Sequence, residues 1–146
     1  MSRDNTSIAR RWVEGFNTEN LTIAEEIIAP TYVMHDLHVP HLGRGPESYK
    51  KHIMSTHEAF PGLKLTVQDV FAAGDKVALR WVARGTHAGT LLGIAPTGKS
   101  VVIEGVLIAH IADGKIEEGW TYWDALGTVQ QLAVIEPPFA PFPPGD

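Results

Sequence analysis

The spacing of apolar residues changes character near residue 60. Before it, in "SIARRWVEGFN", Ile8, Trp12, Val13 and Phe16 recur at three- and four-residue steps, the period of a helix with one buried face. A first helix is expected from about Thr6 to Asn17. In "NLTIAEEIIAP", Thr22 and Glu25 have capping-box spacing, Ile23, Ile27 and Ile28 form an inner face, and Pro30 should stop a short second helix. "TYVMHDL" is rich in strand formers. "GPESYKKHIMSTHEAFPG" then places Pro46 and Glu47 in a first helical turn, with Tyr49, Ile53 and Phe60 on one stripe.

After Pro61-Gly62 the period falls to two. "LKLTVQDVF", "DKVALRWVARGTH", "KSVVIEGVLIAHI" and "KIEEGWTYWD" predict four long strands, separated by "AAGD", "AGTLLGIAPTG" and "ADG". Helices followed by such strands imply an α+β fold, with N-terminal helices packed on a curled mixed or antiparallel sheet that forms a cone-shaped pocket. One domain is expected over residues 1–135. The segment 136–146, "EPPFAPFPPGD", holds five of the ten prolines and is expected to be a tail or an arm.

Composition narrows the chemistry. The chain has 146 residues, 44% of them hydrophobic, a net charge of −5 and no cysteine. Thiolate catalysis and cysteine-based metal sites are excluded. Scattered Lys and Arg offer no footprint for nucleic acid, and no run is long and apolar enough for a membrane helix or a signal peptide. A cytoplasmic protein acting on a hydrophobic small molecule is expected. "HDLHVPH" sets His35, His38 and His41 at three-residue steps, but Pro40 argues against the helix that would cluster them, so no metal site is assigned. His87 reads as structural, and "GTLLGIAPTG" as a lip offering Leu91, Leu92 and Ile94 as apolar cover.

Asp124, behind Trp120, Tyr122 and Trp123, has two readings: an N-cap for the helix-like "ALGTVQQLA", or a carboxyl whose proton affinity is raised by apolar surroundings. By alternation it shares a face with Glu118, Trp120 and Tyr122, while Trp123 points the other way. The turn at Ala112-Asp113-Gly114 decides what stands opposite. A two-residue type I′ turn would set Asp124 among Ile103, Leu107 and Ile111. A three-residue turn followed by a bulge would bring His110, Val106 and Glu104 onto its face. The second is favoured, because it gathers the polar groups on one mixed face, which the helices would then close into the pocket.

Five phrases occur in order: "AFPGL" (59–63), "GTHAG" (85–89), "PTGK" (96–99), "DGKIEEGW" (113–120) and "DALGTVQQL" (124–132). Together they resemble the SnoaL-like polyketide cyclases of the nuclear transport factor 2-like superfamily, over the whole chain except the proline-rich tail. One departure is Ala133, where the family's last phrase usually ends in Gly. The resemblance implies intramolecular aldol closure of a polyketide ester without metal or cofactor, and a homo-oligomer, a dimer or larger, formed through the outer face of the sheet. It implies that Asp124 is the acid/base, that His110 assists it, and that His35 lines the pocket. Tyr49, Glu104, Val106, Trp120 and Tyr122 complete the expected substrate contacts. An isomerase, dehydratase or hydrolase acting on another hydrophobic molecule would use the same pocket. A non-catalytic binding or assembly module would leave Asp124 as a cap.

Overall fold

The computed structural model describes residues 2–39 and 41–132. The proline-rich segment 136–146 lies outside the described residues. Three helices lead into the long strands: α1 (Ser2–Thr18), α2 (Ile23–Ile27) and α3 (Gly45–Ala59), with β1 (Ile28–His35) between α2 and α3. Then come β2 (Lys64–Ala73), β3 (Lys76–Thr86), β4 (Ser100–Ala112), β5 (Lys115–Trp123) and α4 (Ala125–Gln131). All four strands predicted beyond residue 60 are present.

The sheet order is β1-β5-β4-β3-β2, with β1 parallel to β5 and every other pair antiparallel, so the sheet is mixed. Helices cover one face of it. Trp12, Val13 and Phe16 of α1 and Tyr49 and Ile53 of α3 are buried against Leu79, Leu107 and Ile116 of the strands. Asn17, at the end of α1, docks on the free edge of the sheet: its side chain accepts from Leu65 N at 2.7 Å and donates to Leu65 O at 2.8 Å.

Two local expectations at the second helix are corrected. Thr22 has helical backbone angles and forms no side-chain cap; its hydroxyl instead donates to Asn20 Oδ1 at 2.6 Å, while Glu25 accepts from Lys50. Pro30 does not end the helix. Helix α2 stops at Ile27 and Pro30 sits within β1, in the irregular stretch between Ile28 and Val33. An edge strand tolerates a residue that cannot donate to the ladder.

The β4–β5 hairpin combines features of both sequence alternatives. Ala112 pairs with Lys115 around Asp113 and Gly114, whose φ angles of 51° and 74° fit a two-residue type I′ turn rather than the expected three-residue one. Ile111 then pairs with Ile116 but His110 with Glu118, leaving Glu117 as a bulge. That extra residue reverses the alternation along the rest of β5. Trp120 stands beside Ile108, and Tyr122 beside Val106, on one face; Thr121 stands beside Leu107, and Trp123 beside Gly105, on the other.

Candidate active site

The helices close over the face that carries Thr121 and Trp123. The expected polar pocket face is therefore corrected: the mixed face is the outside of the sheet, and the pocket is built on the apolar one. A cavity of about 250 Å³ lies between α1, α3 and the inner strand positions. Trp12 and Phe16 form one wall, Trp81, Ile103, Thr121 and Trp123 another, and Leu91 and Leu92 cover the mouth. The 90–94 segment thus forms the expected lip. A Leu91–Ile94 bridge closes it into a tight turn, although Ile94 itself is not in the lining.

Polar groups on this lining are few. Asp36, just past the end of β1, is its only carboxylate among the described residues. The Trp123 indole N–H is shared between its two oxygens, at 3.2 and 3.1 Å, and the backbone N–H of His38 donates to Oδ1 at 2.9 Å. The parallel pairing of β1 with β5 brings this carboxylate within reach of Trp123. His38 stands at the rim with its ring edge-on to Trp123.

Helix α3 supplies the opposite side. His52, Ser55, Thr56 and Ala59 recur at three- and four-residue steps and all face the cavity. The Ser55 and Thr56 hydroxyls donate back to His52 O at 3.1 and 2.8 Å. The His52 ring lies edge-on to Trp12 and Phe16, and desolvation among these groups pushes its pKa down to about 4, with the Asp36 carboxylate pulling weakly the other way. At neutral pH it is a neutral imidazole, with one N–H and one lone pair to offer.

None of the eight side chains expected at the site lines this cavity. The mixed face does gather six of them, as the favoured pairing required, together with His35 beside Trp120, but on the outside. Asp124 caps α4, its Oδ1 accepting from Gly127 N at 2.8 Å. His110 donates to Asp75 at 2.8 Å near the hairpin end. Glu104 and Tyr122 are exposed and Val106 and Trp120 half-buried. His35 stacks on Trp120 and bonds Glu118 at 2.7 Å. Tyr49 is fully buried below the pocket, where its hydroxyl donates to Trp12 O at 2.6 Å and burial pushes its pKa up. His87 is structural, as expected: it is buried, and its Nδ1 accepts from Thr97 N at 3.2 Å.

Sequence reasoning missed Asp36, His52, Trp12, Trp81 and Trp123 as residues that line the pocket. The signals were the helical spacing of His52 with Ser55, Thr56 and Ala59, and the opposite parity of Trp123 to Asp124.

Residues 6–132 match the family model of the SnoaL-like polyketide cyclases. The chain belongs to this family. Among its relatives, aklanonic acid methyl ester cyclase AcmA of Streptomyces galilaeus is 31% identical over 124 residues, 84% of this chain and 86% of that one. Nogalonic acid methyl ester cyclase of Streptomyces nogalater is 29% identical over 126 residues, covering 82% and 90%. The crystal structure of IdmH from Streptomyces antibioticus superposes with a TM-score of 0.75 at 34% identity, covering 89% of this chain and 99% of that one. The SnoaL-like fold is thus matched over nearly the full length of its relatives, and the pocket described above is the cone interior of this member.

Proposed function

We propose that this pocket closes a carbocyclic ring of a polyketide ester by an intramolecular aldol reaction, with Asp36 as the acid/base. The observation that supports it is that Asp36 is the only carboxylate among the described lining residues, in a cavity walled mainly by aromatic and apolar side chains. Asp36 takes a proton from a carbon lying between two carbonyls. The carbanion attacks a ketone carbon of the same molecule, a C–C bond forms, and the C=O π pair moves to oxygen. The protonated Asp36 then gives its proton to that oxygen, so substrate and product are isomers. The delocalised enolate carries much of the charge, which is why the reading calls for no metal or cofactor. His38 and the neutral His52 would hydrogen-bond substrate carbonyls.

The cavity of about 250 Å³ lies just below the roughly 300–1,000 Å³ of drug-sized sites. A fused-ring ester would place its reacting ring inside and the remainder at the mouth, between His38 and Leu92. The homo-oligomer expected from the resemblance would use the outer face, where Val102 and Tyr122 are exposed; sedimentation measures it.

The methyl esters named for the relatives, of aklanonic and nogalonic acid, are the first substrates to test, followed by absorbance. Asp36→Asn should lower kcat/KM about 100-fold or more, with Asp124→Asn within about threefold of wild type. The reverse pattern would return the acid/base to Asp124, as the family resemblance implies. No turnover by folded wild-type protein would remove the ring-closing reading.

A further inference from the structure

We propose that the indole N–H of Trp81 is a second catalytic group, the donor that holds the substrate carbonyl oxygen on which negative charge develops during ring closure. The proposal rests on the ring-closing reading and assigns the oxyanion its partner. Trp81 lines the cavity, is 7% exposed, and its Nε1 is buried without a hydrogen-bond partner. An indole nitrogen can only donate, and a buried donor left unpaired is costly to the fold. Such a group at a pocket wall is what a ligand acceptor would satisfy.

The other indoles are accounted for. Trp123 Nε1 donates to Asp36. Trp12 Nε1 is likewise without a hydrogen-bond partner, but its polar neighbour is the buried Tyr32 hydroxyl, within the core. Trp120 stacks with His35 on the outer face.

Trp81 is also held in place. A Cβ at Gly105 would lie 2.3 Å from its Cζ2 and 2.7 Å from its Cε2 and Cη2, so the long edge of the indole, which ends in Nε1, rests on bare β4 backbone. Gly105 pairs with Trp81 on one side and with Trp123 on the other. Across this one row the sheet therefore presents an unpaired donor, the glycine on which its ring lies, and the residue that holds Asp36. A carbonyl oxygen in the cavity beside this row would receive the Trp81 N–H while Asp36 works on the adjacent atoms. Trp81 transfers no proton: the carbon proton goes to Asp36 and returns to the alkoxide, and the indole only stabilises that oxygen.

Trp81→Phe keeps an aromatic ring and deletes the donor. On a methyl ester that the wild type cyclises, the variant should lose about 10- to 100-fold in kcat with KM within about threefold, the pattern of an interaction made in the transition state. Its Tm should stay within a few degrees, since the space left by the smaller ring opposes the removal of an unpaired donor. Unchanged kcat would overturn the proposal while leaving ring closure by Asp36 standing.

A second measurement does not depend on turnover. The protein labelled with ¹⁵N at its indoles is titrated with 9-fluorenone and with fluorene, the same flat shape without the carbonyl, its indole signals assigned from single Trp→Phe variants. The Trp81 indole proton should move downfield with the ketone and not with the hydrocarbon. A signal that fails to respond to fluorenone would overturn the proposal. A clear response in a protein that turns over no ester would keep Trp81 as a carbonyl donor and remove only the cyclase reading.

Discussion

The two faces of the curled sheet are made of alternate residues of the same strands, yet they treat polar groups in opposite ways. On the outer face the ionisable side chains pair among themselves: His35 with Glu118, His110 with Asp75, and Arg80 with Asp69 at 3.6 Å. The cavity on the inner face is walled mainly by apolar side chains, and among the polar groups that face it are Asp36, held by Trp123 and His38 with acceptor capacity to spare, neutral His52 and the unpaired Trp81 indole. A group satisfied by its neighbours has little left to offer a ligand, whereas one held in place and left incomplete does. The number of titratable residues on a face is thus a poor guide to where the chemistry lies.

The comparison breaks most severely at Gly105. Substituting Ala puts a methyl group into the Trp81 ring, whose nearest atom would be 2.3 Å away. The ring must swing into the cavity, at a cost of about 1–3 kcal/mol as in other overpacked cores. We expect a lower midpoint in urea unfolding together with loss of turnover, whereas Val106→Ala, one residue along but on the outer face, should spare turnover.

Acid should come next. His52 has a folded pKa of about 4 against an ordinary 6.5. Between these values the unfolded chain holds a proton that the folded one does not, so stability falls as pH drops through 6.5 and the loss is complete near 4. Its full size is of order 3 kcal/mol. The acid slope of the urea midpoint should flatten in His52→Gln. An unchanged slope would assign the acid sensitivity to other groups.

Much of the fold was legible because it is local. The helical period of Trp12, Val13 and Phe16 and the alternation in β2 to β5 follow from side-chain direction alone. The inside of the sheet was harder, because it turns on one bulge at Glu117, and two adjacent glutamates carry no mark of which is extra. Asp36 was harder still. Its importance depends on β1 lying parallel to β5, a contact between segments some eighty residues apart that no local period encodes. The cluster of His and acidic residues drew attention to the outer face, although small-molecule pockets are mostly apolar with few polar groups. His52, by contrast, was available from helical spacing alone.

A third break separates the two readings of Asp124. As an N-cap it accepts from Gly127 N, so Asp124→Ala should cost about 0.5–2 kcal/mol, while Asp124→Asn, which also caps well, should cost little. Neither should change kcat by more than the stability loss explains. Loss of turnover in the folded Asn variant would show that this carboxyl does more than cap.

The smallest effect is expected at His110. Its ring is a third exposed and its partner Asp75 nearly two-thirds exposed, so their bond at 2.8 Å competes with water on both sides. The bond still has a local signature: the hydrogen bond from His110, with its charge, holds the Asp75 carboxyl below the usual range. His110→Ala should therefore raise the Asp75 pKa toward that of an ordinary carboxylate, readable by NMR titration, with melting temperature and kcat/KM nearly unchanged. A large loss of kcat/KM in this variant would mean that the outer face takes part in the reaction, and the contrast between the two faces would fail at its strongest point.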